Sequence, residues 1–281
     1  MKSSVALVLA AACSVQAGAA VAKSLFPELG PPGVVFLRLL FGSIALWVIA
    51  RPQLRERPWH ELRLVLALGV VLVSMNVSFY ESIDRLPLGI AVTVEFLGPL
   101  AVAVIGSRRR IDFVWVGLAV AGVALLTNGD AAQVHPLGLA LAALAGFFWA
   151  LYILLSVPIG RVYPGASGLA PAMVLGAVLI APWGIVSAGH HLRDPQLVGA
   201  AAGVGLLSSA LPWSLELEAL RRLPAHVFSV VLSLEPAVAA VTGVVFLHEH
   251  LPGRAWLAIA LVVLASAGAT RSRRPPGPPD I

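Results

Sequence analysis

The sequence predicts an all-α membrane protein: ten transmembrane helices in a 5+5 inverted repeat, with both termini in the cytoplasm. Three observations lead there. Of the 281 residues, 59% are hydrophobic and only 12% charged, whereas a soluble domain carries about 25% charged residues because its surface must meet water. Lysine and arginine gather in alternate loops between apolar runs, as oriented insertion requires. One stretch of the first half recurs 137 residues later.

A spanning helix needs roughly 20 apolar residues, within a range of about 17–25. Ten segments qualify: 5–22, 32–50, 63–82, 87–106, 111–128, 136–157, 168–189, 195–216, 224–247 and 254–270. The fifth and tenth are the shortest. Pro99, Pro171, Pro182, Pro212 and Pro236 lie inside segments; a membrane bundle tolerates this because neighbouring groups satisfy the freed backbone. The first segment has a competing reading. Lys2, an apolar run and the sequence AVAK resemble a secretory signal, and LAAAC ending at Cys13 resembles a lipoprotein site. The run is long enough to span, and its removal would leave nine helices and no symmetry. The tail 271–281 is polar and proline-rich and reads as a disordered cytoplasmic extension.

Charge sets the orientation. With the N-terminus inside, the cytoplasmic segments hold Lys2, Arg51, Arg55, Arg57, Arg63, Arg108, Arg109, Arg110, Arg161, Arg221, Arg222, Arg271, Arg273 and Arg274. The outer segments hold only Lys23, Arg85, Arg193 and Arg254, and Arg38 lies within a helix. Loss of one middle helix would scramble this alternation. The same distribution turns the net charge of +5 into a topology signal rather than a sign of nucleic-acid binding. Cys13 is the sole cysteine, so no intrachain disulfide forms.

The repeat pairs Glu81–Val104 with Glu218–Val241. At the constant offset, Glu81 meets Glu218, Arg85 meets Arg222, Leu86-Pro87 meets Leu223-Pro224, Leu97 meets Leu234 and Pro99 meets Pro236. A tryptophan-bearing helix follows each copy, with Trp115 in one and Trp256 in the other. Five helices separate the copies, and an odd number inverts the second. The repeats divide at 1–130 and 131–270. Inverted repeats are a transporter architecture with a substrate site where the halves meet. A duplicated, non-transporting scaffold or sensor is the competing class; it predicts a dry interface, where transport predicts a polar cavity.

Two carboxylates lie mid-span, Glu95 in the fourth segment and Glu235 in the ninth. A mid-bilayer carboxylate costs about 2.5–3.5 kcal/mol on insertion scales, so it faces a cavity or a partner. Each sits near a proline. Pro99 removes the hydrogen bond to the carbonyl of Glu95, and Pro236 removes that to Leu232. A carboxylate beside a free carbonyl suits an ammonium group or a shuttled proton. Pro99, Pro236 and Gly98 are the candidate hinges. Arg38 pairs with a buried carboxylate or binds a substrate's carboxylate. Asn76 and Tyr80 share a helix face at i, i+4 spacing. Gln16, Trp149, Tyr152, Ser209 and Trp213 are further polar or amphipathic groups inside spans, where interhelical bonding competes with ligand contact. Glu216, Glu218 and Glu249 read as interfacial residues near helix ends, and Gly199 with Gly203 as a close-packing pair.

Several chemistries lack their motifs. There is no GxxxxGK[ST] for ATP hydrolysis, His248-Glu249-His250 is not HExxH, and GASG at 165–168 is not GxSxG. The sequence therefore reads as a non-enzyme that needs no cofactor or metal, and an active transporter of this kind draws on an ion gradient.

Ten helices, the inversion and the Leu-Pro…Glu-Pro element of the ninth segment resemble the EamA-type transporters of the drug/metabolite transporter superfamily, over residues 4–270. PLGIAVTVEFLGPLAVAV followed by SRRRIDFVW, Pro87–Trp115, resembles the bacterial threonine/homoserine exporter subfamily. The resemblance implies a multi-pass protein of the bacterial inner membrane. It implies proton-coupled export of a small amino acid or related metabolite from a central cavity lined by helices 1, 3, 4, 6, 8 and 9. Motif matching carries over Glu95 and Pro99, Arg38 within FLRLLFG, and Glu235 and Pro236. Efflux of lipophilic drugs or other metabolites is the alternative within transport. The implied partners are a small molecule, protons and the lipid bilayer; oligomeric state is left open.

Overall fold

The computed structural model describes residues 2–52, 58–105, 110–127 and 135–271. The predicted charges Arg55, Arg57, Arg108, Arg109, Arg273 and Arg274, and the predicted disordered stretch 272–281, lie outside the described residues. Described residues form helices throughout: α1 (Lys2–Ser24), α2 (Phe26–Ala50), α3 (Trp59–Arg85), α4 (Leu88–Glu95), α5 (Leu97–Val104), α6 (Arg110–Thr127) and α7 (Pro136–Val162). The second half continues with α8 (Leu169–Ala188), α9 (Pro195–Gly205), α10 (Leu211–Arg222), α11 (Ala225–Leu232), α12 (Glu235–Phe246) and α13 (Gly253–Arg271). A π-helical turn, Leu206–Ala210, joins α9 to α10.

Among the described residues, eight helical stretches are long and apolar enough to cross a membrane; Leu88–Val104 and Ile111–Leu126 are apolar but shorter. The fourth predicted segment consists of two half-helices, and the ninth is divided in the same way. The outer surface is apolar: Val186 is 80% exposed and Phe113 77%. Lipid, not water, is the solvent such a surface fits.

The two interruptions are copies of one another. The break residues Phe96 (φ −64, ψ −12) and Ser233 (φ −61, ψ −11) stand 137 apart. The Phe96 N–H donates to the carbonyls of Val92 and Val94, and the Ser233 N–H to those of Ser229 and Val231, again at the same offset. Pro87 and Pro224, which start the half-helices, share φ −55/−58 and ψ 140. The cause is local: Pro99 and Pro236, each three residues past the break, offer no N–H to close the α-helical ladder.

Packing follows the repeat. Taking the apolar stretches in order, α3 on α7 has its counterpart in α10 on α1, while α2 with α8 and α6 with α13 pair an element with its own counterpart. Most of these contacts join the two halves. Their crossings are close. A Cβ on Gly69 of α3 would come within 2.8 Å of the Ala172 carbonyl in α8, and one on Gly89 of α4 within 2.6 Å of Ala240 in α12. Gly98 of α5 lies against the carbonyl of Gly146 in α7 with no room for a side chain, and a Cβ on Gly146 would come within 2.5 Å of the Glu95 carbonyl. By contrast nothing lies within 4 Å of a Cβ on Gly199 or Gly203. The small-residue spacing there does not mark a packing seam, because that face of α9 points away from its neighbours.

At the end of the bundle where α13 begins, charges link the halves. The Lys23 ammonium donates to Glu249 Oε1 at 2.7 Å and to the Leu86 carbonyl at 2.8 Å. The other oxygen of Glu249 accepts the Leu88 N–H at 2.8 Å, which caps the first turn of α4. Glu249, the centre of the His248-Glu249-His250 run, does lie near helix ends, between α12 and α13, and both its carboxylate oxygens are engaged by the first half of the chain. Among the described residues no group of three His, Cys, Asp or Glu is placed to hold a metal ion.

Candidate functional site

A cavity of about 1060 Å³ lies between the two halves. Both halves build its wall, and helices beyond the expected six contribute: α2 brings Arg38, α8 brings Met173, and α13 brings Thr270 and Arg271. Pro224 and Arg271 are exposed where they line it, so the cavity meets the surface at the Arg271 end of α13. That is the end opposite Glu249. A buried space with charged walls is what transport requires and what a dry scaffold interface lacks.

Seven residues singled out by sequence meet there: Arg38, Asn76, Tyr80, Glu95, Tyr152, Trp213 and Glu235. Glu95 is the last residue of α4 and Glu235 the first of α12, each 7% exposed. The proline effect therefore delivers both carboxylates to the ends of half-helices, one before its break and one after. They are not equivalent by the repeat, since Glu95 aligns with Leu232 and Glu235 with Gly98. Neither forms an ion pair with a described residue. Glu95 lies within electrostatic reach of Glu235 and Arg38. Glu235 Oε1 accepts a hydrogen bond from Gln16 Nε2 at 3.1 Å. Of the candidate hinges, Pro99 borders the cavity, Gly98 is held in the crossing with α7, and Pro236 is buried behind Glu235.

Arg38 is fixed by neutral acceptors. Its guanidinium donates to Asn76 Oδ1, and its Nη2 to the Ser208 carbonyl at 3.2 Å. Asn76 is oriented by its own Nδ2, which donates to the Leu72 carbonyl at 2.8 Å. The Ser208 carbonyl is available because of Pro212. A proline returns no N–H to the carbonyls four and five residues back, here Ser208 and Leu207. Arg38 takes the first, and Ser14 Oγ takes the second at 2.7 Å. The π turn at this point adds a residue to the helix, a device frequent at functional sites. Phe96 and Trp149, edge to face with centroids 5.2 Å apart, supply an apolar wall.

The sequence does not single out Glu216 or Ser208 as cavity residues. The eighth predicted segment ends at residue 216, but the helix runs on to Arg222. Glu218 pairs with both Arg221 and Arg222 and closes the last turn. Glu216 is therefore inside the wall, within electrostatic reach of Tyr152 and Glu235. A signal existed: Arg221 and Arg222 mark the end of the helix better than the last apolar residue does.

Known proteins share this sequence and this arrangement. The model of the EamA-like transporter family matches residues 2–128 and 136–271. The threonine/homoserine exporter RhtA of Salmonella typhimurium is 44% identical over 271 residues, which is 95% of this chain and 91% of that protein. RhtA of Escherichia coli is 44% identical over 273 residues, 96% and 92% of the two chains. A solved crystal structure superposes with a TM-score of 0.66 at 19% identity, covering 96% of this chain and 97% of that one, and speaks for the fold alone. A cavity with charged side chains in its wall between two related halves, an apolar outer surface and a family match over both halves agree: this chain is a multi-pass membrane protein that belongs to the EamA-like transporter family.

Proposed function

We propose that this protein is a secondary active transporter of the bacterial inner membrane that exports a small amino acid of the threonine or homoserine kind, in exchange for protons and by alternating access. The observation that carries the reading is the cavity, where Glu95, Glu216 and Glu235 share one largely buried space with Arg38, which has no carboxylate partner among the described residues. Opposite charges in one buried volume suit a zwitterion, which an apolar cavity would reject on desolvation grounds. The similarity to proteins named threonine/homoserine exporters supports the choice of cargo.

In this reading the chain crosses the membrane ten times as two inverted repeats, 1–130 and 131–270, with both termini inside. The Arg271 end of the cavity then faces the cytoplasm, and the Lys23–Glu249 end faces outward. Glu95 receives the proton or the ammonium group. The half-helices α4/α5 and α11/α12 shift at their breaks as the site changes sides.

Purified protein in liposomes, given labelled threonine, homoserine and other amino acids across an imposed pH gradient, tests this. Gradient-dependent flux of threonine or homoserine is the expected result. No flux of any amino acid, with flux of lipophilic cations instead, would replace the amino-acid reading by drug efflux.

A further inference from the structure

We infer that Arg38, Tyr80 and Ser208 form a cradle for the substrate's carboxylate, assembled across the two halves by the π turn at Leu206–Ala210. The inference rests on the amino-acid reading above and assigns one end of the cargo to a place in the cavity.

Three unused donors meet at this point. Arg38 spends its terminal nitrogens on Asn76 and on the Ser208 carbonyl, but its Nε–H has no partner. The Tyr80 hydroxyl, on a residue only 1% exposed, makes no well-aligned hydrogen bond, its weaker polar contacts being to Arg38 and Ser208. The Ser208 hydroxyl is likewise buried and unpartnered. Tyr80 carries the guanidinium over its ring, with Arg38 Cζ 5.3 Å from the centroid, and its hydroxyl lies beside both Arg38 and Ser208. All three residues line the cavity. Buried donors are almost always satisfied, so each exception calls for an explanation. Three together around one cation, with no carboxylate among the described residues within ion-pair distance of Arg38, make a place suited to an anion.

On the amino-acid reading that anion is the cargo's carboxylate. Arginine and two hydroxyls supply three directional donors around a single charge, as carboxylate recognition favours. The cradle also needs its neighbours to be small. Gly18 of α1 lies against the Ser208 hydroxyl so closely that a methyl there would overlap it. Closure of the cradle on an anion would join α2 and α3 of the first half to the π turn of the second, which couples occupancy to the interface between the halves.

Equilibrium binding of labelled threonine to the purified full-length protein, with competing ligands, tests the cradle. Threonine should compete at least about tenfold better than threoninamide or 1-aminopropan-2-ol, which keep the ammonium but lack the carboxylate. Tyr80→Phe and Ser208→Ala should each weaken threonine about ten- to thirtyfold while leaving the two carboxylate-free amines unchanged. Should either variant fail to fold, the competition series on the unaltered protein decides alone. Equal competition by threonine and threoninamide overturns the cradle, and so does an equal loss for all ligands in the variants. Absence of any threonine binding to the unaltered protein would overturn the amino-acid reading and the cradle together.

Discussion

Lys23 and Glu249, 226 residues apart in sequence, meet at 2.7 Å and tie the end of α1 to the turn between α12 and α13. Both side chains are largely shielded, at 22% and 10% exposure. Glu249 does two things there, since its second oxygen also caps α4 through the Leu88 N–H. Glu249→Ala should therefore lower stability by about 1–3 kcal/mol, the cost of stranding a shielded cation and an amide. Glu249→Gln, which keeps an acceptor, should cost less. Thermal unfolding in detergent measures both. An unaltered midpoint in the alanine variant would mean that the pair contributes nothing.

Glycine at position 98 is required by a crossing rather than by its own backbone angles. Gly98→Ala would drive a methyl into the Gly146 carbonyl and should leave little folded protein on size exclusion. Gly117, also helical, has nothing within 4 Å of its would-be Cβ. Gly117→Ala should behave as the unaltered protein or better, because alanine is favoured over glycine in helices by up to about 1 kcal/mol. Equal behaviour of the two variants would refute the crossing.

Glu95→Gln preserves the shape of the side chain and removes its charge. Proteoliposomes bearing this variant should show no flux driven by a pH gradient, with an unchanged elution profile. Retained gradient-driven flux would take Glu95 out of the mechanism.

The orientation has its own test. Thr270 borders the cavity at its surface end, and Cys13, the sole native thiol, is removable by Cys13→Ser. Thr270→Cys in that background should react with a membrane-impermeant maleimide in inside-out vesicles and be protected in right-side-out ones. The reverse pattern would invert the proposed topology.

The parts of the fold that were legible in the sequence are the local ones. A proline acts on a carbonyl four residues back, so Pro99 and Pro236 were readable as candidate hinges, and their common offset revealed the repeat. The cavity charges Glu95, Glu235 and Arg38 stood out because charge is scarce in an apolar run. What escaped is register and partnership. Gln16 meets Glu235 across 219 residues, and no local pattern encodes that. Ser208 does not stand out in the sequence, because a hydropathy window does not see the extra residue of the π turn. Glu216 was misplaced by taking the end of an apolar run as the end of a helix.

The matching joints at Phe96 and Ser233 carry unlike loads. Glu95 rides on the arm ahead of its joint, and Glu235 on the arm behind. If both joints flex alike, the two carboxylates travel with opposite arms, and the spacing between them changes even though the hinges are mechanical twins. Duplication thus supplied two matching breaks, and with one charge ahead of its break and the other behind, such a motion would have a direction.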